Sequence, residues 1–110
     1  MAVTLLALFK RPAGGVAELN AFLARYREEH LPLIAQVPGL RSTQVEEVTQ
    51  KYAGDDIVVV TRMTFDDQAS LDSGMASQEM RAAGRNLREI APEMLTLVAL
   101  GGDVEDSSFA

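Results

Sequence analysis

Three side chains with usable chemistry or shape recur at one interval. Phe22, Tyr26 and His30 stand four residues apart within FLARYREEHLPL, residues 22–33. On an α-helix this interval stacks side chains along a single face. The surrounding stretch, Phe22–Arg41, holds the chain's one histidine, one of its two tyrosines, and the helix-breaking residues Pro32 and Pro38. An imidazole titrates near neutral pH, so His30 is a candidate general acid or base. Tyr26, one turn earlier, is a candidate to bond a substrate oxygen or to orient the imidazole. Phe22 is a candidate pocket wall. Each also has a purely structural explanation: a histidine packed at a helix end, a core tyrosine with its hydroxyl at the rim, a core phenylalanine. The sequence leaves both explanations open.

The element that positions them is a helix predicted from Val16 to Leu33, entered through Gly14-Gly15. Leu19, Leu23 and Leu33 extend the apolar stripe, while Arg25, Arg27, Glu28 and Glu29 fall on the solvated side. Pro32 lacks the N–H that would bond the Glu28 carbonyl, and its ring crowds that carbonyl. The helix is therefore expected to kink or end between His30 and Leu33. There the negative end of the helix dipole favours imidazolium, whereas burial among Phe and Leu disfavours it.

Around this helix the chain reads as alternating strands and helices. Val3–Lys10 (VTLLALFK) is apolar at both alternating sets of positions, as a central strand requires. After the Pro38-Gly39 turn, Leu40–Gln50 is mostly polar and reads as an edge strand. Lys51–Asp56 forms a loop, and Ile57–Phe65 (IVVVTRMTF) is a second central strand, dense in β-branched residues. Asp66 and Asp67 are placed to cap a short helical piece over Asp67–Gly74. Ala76, Met80, Ala83, Leu87 and Ile90 mark a longer helix ended by Pro92, and Met94–Leu100 is the last strand. The order β-α-β-β-α-β is the α+β, ferredoxin-like arrangement: a four-stranded antiparallel sheet with two helices on one face. Two helices cover one face only, and the central strands are apolar on both. A second copy of the chain, packed sheet to sheet, is the expected cover.

Composition narrows the function. The chain has 110 residues, 47% of them hydrophobic, which suits one domain over residues 1–102 followed by an acidic, polar tail over residues 103–110. Sixteen acidic against ten basic residues give a net charge of −6, which opposes nucleic-acid binding. With no cysteine and one histidine, neither thiolate chemistry nor an ordinary zinc site is available within one chain. No apolar run is long enough to span a membrane, and the apolar opening lacks the basic start of a signal peptide, so the expectation is a cytoplasmic protein. No G-x-G-x-x-G, P-loop or G-x-S-x-G occurs, so no nucleotide cofactor or serine nucleophile is indicated. Arg62, in a central strand among apolar neighbours, needs an ionic partner or an opening to solvent. Lys10 and Arg11 read as a solvated strand end, and Asp55-Asp56 and Asp66-Asp67 as turn and cap residues.

Taken together, LLALFKRP (5–12), FLARYREEHLPL (22–33) and VPGLR (37–41) resemble the EthD-like family of the dimeric α+β barrel superfamily, and the likeness extends over most of residues 3–102. That resemblance implies a homodimer whose two sheets close into a barrel with helices outside, and a pocket between sheet and helices in each subunit. The family's signature histidine maps onto His30 and its preceding aromatic positions onto Phe22 and Tyr26. Related barrels include cofactor-free monooxygenases, isomerases, cyclases, dehydratases and haem-handling enzymes. The absence of Trp argues against quinol oxidation, and no second feature supports haem ligation by His30. The resemblance and the residues together imply a small cofactor-independent enzyme of lyase, isomerase or cyclase type, with no metal. It would act on an apolar or aromatic oxygenated metabolite, with His30 moving a proton, Tyr26 assisting and Phe22 lining the pocket. The alternatives are a non-catalytic binding protein that carries a hydrophobic molecule for an oxygenase pathway, and a structural or regulatory dimer with no pocket.

Overall fold

A computed structural model describes residues 2–101; the acidic tail expected over residues 103–110 lies outside the described residues. The elements are β1 (Val3–Lys10), α1 (Val16–Arg25), a π-helical turn (Tyr26–His30), α2 (Leu31–Ile34), β2 (Leu40–Glu47), β3 (Ile57–Phe65), α3 (Gln68–Met75), α4 (Gln78–Ile90) and β4 (Leu95–Leu100). The strands form one antiparallel sheet in the order β2-β3-β1-β4. The two apolar strands, β1 and β3, are central, as their two-sided hydrophobicity requires.

Strand parity divides the sheet into two faces. Val3, Leu5, Ala7 and Phe9 of β1 point beneath the helices and are buried, as are Val59, Thr61, Met63 and Phe65 of β3 in register with them. The other parity faces away. Leu6 stands opposite Arg62 and Val98, Leu8 opposite Val60 and Thr96, and Thr4 opposite Thr64 and Leu100. Among the described residues no helix covers this face: Leu6, Leu8 and Val60 are half-buried, while Val98 and Leu100 are 40% and 47% exposed. An apolar strip thus crosses the centre of the uncovered face. Arg62 lies on this face too, 3.4 Å from Glu46 of the neighbouring strand, and both side chains are exposed.

Local chemistry sets the helix ends. Asp67 caps α3, its Oδ1 accepting the Ser70 N–H at 2.8 Å. Ser77 caps α4 by accepting the Met80 N–H at 3.1 Å. Gly39 follows Pro38 with φ 83°, a left-handed conformation that returns the chain into β2. Three expectations are corrected by small amounts. β2 ends at Glu47 rather than Gln50, β4 begins at Leu95 rather than Met94, and the helix containing His30 continues through Pro32 to Ile34.

Candidate functional site

The continuation past Pro32 has a local cause. An α-helix advances 3.6 residues per turn, so positions four apart drift by about 40° at each step. Phe22, Tyr26, His30 and Ile34 are all buried at that interval, which a straight α-helix would fan across about 120°. The π turn over Tyr26–His30 takes up the difference. Its closing bond runs from the Leu31 N–H to the Tyr26 carbonyl, one residue longer than an α-helical bond. The wider turn also contains the Glu28 carbonyl that the Pro32 ring would otherwise crowd. Helix and proline therefore coexist, and the four side chains stay on one face.

On that face the Tyr26 and His30 rings stack, with centroids 5.1 Å apart and planes 23° from parallel. Tyr26 meets Phe9 edge-on at 5.2 Å, and its hydroxyl shares a 2.5 Å hydrogen bond with Thr61 Oγ1. Burial pushes the phenol pKa up, and the Thr61 bond draws it partly back. Phe22 packs against Phe9 and Tyr26 at 5.3 and 5.4 Å. Contrary to expectation it does not line the cavity but packs against Phe9 and Tyr26, which do.

His30 is 2% exposed, and its Nδ1 lies 3.1 Å from Asn86 Oδ1 on α4. The direction of that bond follows from its neighbours. Arg25 donates to Glu29 through Nε at 2.7 Å and Nη2 at 3.1 Å, and the guanidinium holds the Glu29 carboxyl below its usual pKa. An ionised carboxylate only accepts, so the Asn86 group facing Glu29 Oε1 at 3.1 Å is its amide NH₂. The Asn86 carbonyl therefore faces His30 and accepts the Nδ1 proton. In neutral His30 the lone pair then sits on Nε2. Burial lowers the imidazole pKa from its ordinary value, and the Asn86 bond opposes that shift more weakly. Because the helix continues to Ile34, His30 is not at its C-terminus, and desolvation prevails over any dipole effect.

Tyr26 and His30 line a cavity of about 80 Å³ between helices and sheet, walled by Ala7, Phe9, Met63, Met80, Leu87 and Leu97 among others. These walls are hydrocarbon or thioether. A wider groove of about 430 Å³ adjoins the cavity along α4 and β4 and shares Gly84, Leu87 and Leu95 with it. A group in the cavity meets an almost wholly apolar surface, and the titratable side chains among its lining residues are His30 and Tyr26, the hydroxyl of the latter engaged by Thr61. Among the described residues no cluster of three or more His, Cys, Asp and Glu side chains stands where it could hold a metal ion. No described helix is long and apolar enough to cross a membrane.

Sequence reasoning missed Asn86 and Thr61. Both carried a signal. Asn86 falls three residues after Ala83 and four before Ile90, at the margin of the apolar stripe. Thr61 has the inward parity of Val59 and Met63. A polar residue in either place needs a buried partner.

No family model matches the chain, and no curated protein matches it in sequence. Solved structures do. An EthD-family protein of Bacillus halodurans is 30% identical, with 94% of this chain and all of that one covered and a TM-score of 0.81. A dimeric ferredoxin-like protein from Bacteroides fragilis is 23% identical over 90% of this chain and 94% of its own, with a TM-score of 0.65. A ferredoxin-like DABB-family protein of Mesorhizobium loti is 14% identical over 94% of this chain and 98% of its own, with a TM-score of 0.68. The last two share the fold. The first, matched from end to end, goes further: this chain belongs to the EthD family.

Proposed function

We propose that the chain acts as a homodimer joined through its uncovered sheet face, and that each subunit binds a small apolar or aromatic oxygenated molecule beside His30. The observation that carries this reading is a single buried imidazole set in a hydrocarbon cavity, with Nδ1 tied to Asn86. The nitrogen left for a ligand, Nε2, is then a lone-pair acceptor. It suits a hydroxyl or an acidic C–H, and taking that proton is the general-base step of an isomerisation, cyclisation or elimination. Tyr26 holds the imidazole plane by stacking on it, and Thr61 fixes Tyr26. Phe22 supports Tyr26 from behind. The cavity is smaller than a typical ligand site of roughly 300–1,000 Å³, so a ligand must displace the flexible Met80 side chain or extend into the adjoining groove. The apolar strip through Leu6, Leu8 and Val60 supports the sheet-to-sheet dimer, and the Bacteroides fragilis protein of this fold is itself dimeric.

The dry wall equally suits a carrier that delivers a hydrophobic molecule to an oxygenase. A panel of phenols, alcohols and small cyclic ketones, screened by NMR through the one histidine signal, identifies ligands. The variant His30→Ala then separates the two readings. A carrier keeps most of its apolar affinity, whereas an enzyme loses turnover by about 10²–10⁴-fold. If no compound moves the His30 signal, the pocket reading is wrong.

A further inference from the structure

The cations of this chain are unevenly partnered. Lys10, Arg11, Arg25, Arg27, Arg41 and Arg62 each lie within 4 Å of a carboxylate. Among the described residues the arginines without such a partner are Arg81, Arg85 and Arg88, and all three are on α4. Their spacing of four and three residues aligns them in one stripe. Arg81 is committed to the Ala76 carbonyl at 2.9 Å. Arg88 is placed differently. It lines the groove that adjoins the His30 cavity, and its Nη1 lies 3.8 Å from where a side chain on Gly84 would begin. Gly84 belongs to both the cavity and the groove. A guanidinium therefore lies beside Gly84, where the apolar cavity and the groove meet, in a chain whose net charge is −6.

We infer that the ligand is an anion, with an apolar or aromatic body in the cavity and a carboxylate held by Arg88 at the mouth. The inference rests on the pocket reading above and specifies its substrate class. Guanidinium is the side chain best shaped to grip a carboxylate, through two parallel N–H···O bonds. The absence of a side chain at Gly84 lets the Arg88 guanidinium lie close over the helix where cavity and groove meet. Glu93 also lines the groove; among the described residues it makes no ion pair with Arg88, and it would repel an anion bound near it. An anion anchored at Arg88 must therefore extend inward toward His30, not along the groove toward Glu93. The arrangement orients the ligand so that its apolar end, with the proton to be moved, reaches Nε2.

The test uses the full chain and two probes of one shape, 3-phenylpropanoate and 3-phenylpropanamide, titrated at pH 7.5 and read through the His30 imidazole signals. The carboxylate should bind about five- to tenfold more tightly than the amide. Arg88→Gln, an exposed substitution whose folding is checked by circular dichroism, should abolish that preference while leaving amide binding unchanged. Glu93→Gln should strengthen carboxylate binding. Equal binding of the two probes, or a preference that survives in Arg88→Gln, overturns the inference and leaves the apolar pocket standing. Failure of both probes to move the His30 signals refutes the pocket reading itself, and the anion inference with it.

Discussion

Asn86→Leu separates the structural role of Asn86 from the chemistry of the pocket. Leucine keeps approximate size but offers no acceptor to the His30 Nδ1 proton and no donor to Glu29. Glu29 is partly solvated and retains Arg25 through two bonds, so its loss is small. The His30 donor, by contrast, is buried and left without its partner 3.1 Å away. An unsatisfied buried donor costs about 1–3 kcal/mol, and in a domain of this size that is roughly 5–15 °C in Tm. The same substitution removes the contact that raises the His30 pKa, so the pKa should fall further. Asn86→Asp should move the pKa in the opposite direction, since a carboxylate beside Nδ1 stabilises imidazolium, while its other oxygen would face the Glu29 carboxylate and be repelled by it. Urea denaturation at pH 8 measures the first effect and an NMR titration of the lone histidine the second. An Asn86→Leu protein as stable as the parent, or a His30 pKa indifferent to both substitutions, would refute the hydrogen-bond chain from Arg25 to His30.

Other consequences follow from packing and charge. A Cβ on Gly74 would meet Phe65 Cε1 at 2.8 Å and the Pro38 carbonyl oxygen at 3.1 Å, so Gly74→Ala should cost about 1–3 kcal/mol by overpacking, measured by denaturant midpoint. Leu8→Glu places a carboxylate at the centre of the uncovered sheet face. It should leave the subunit folded and weaken the proposed sheet-to-sheet dimer at least about a hundredfold, seen as monomer in sedimentation; a dimer unchanged by the substitution would refute that interface. Stability should also depend on His30 protonation. Its native pKa is lowered, so the unfolded chain binds the proton first. Stability is then full above about pH 6.5 and declines as the pH falls from there toward the native pKa. His30→Gln should lack that component, while the loss at lower pH from Glu29, Asp66 and Asp67 should persist.

Much of the fold was legible because the strands are strongly patterned. β1 and β3 run as expected, since each is an apolar segment bounded by prolines, glycines or acids, and their two-sided hydrophobicity placed them at the centre. Ends of polar segments were less legible: β2 stops at Glu47 because strand pairing with β3, not composition, decides where it ends. The π turn was hidden for a different reason. The interval of four residues was visible, but it suits a straight helix and a wide turn alike, and only burial of Ile34 together with His30 requires the second. Pro32 suggested a stop because an α-helical register was assumed. Tyr26 and His30, singled out by chemistry and spacing, line one cavity, and their roles there are the proposal made above. Asn86 lies 56 residues beyond His30 in sequence, and only the packing of α4 beside the π turn brings the two together.

The proposed role of His30 requires a neutral imidazole with its proton on Nδ1, donated to Asn86, and its lone pair on Nε2. Nitrogen-15 chemical shifts of the single histidine, followed from pH 4.5 to 8.5, report both tautomer and pKa. The expected result is the Nδ1–H tautomer and a pKa below about 6.5. An Nε2–H tautomer, or a pKa at or above that value, would contradict it.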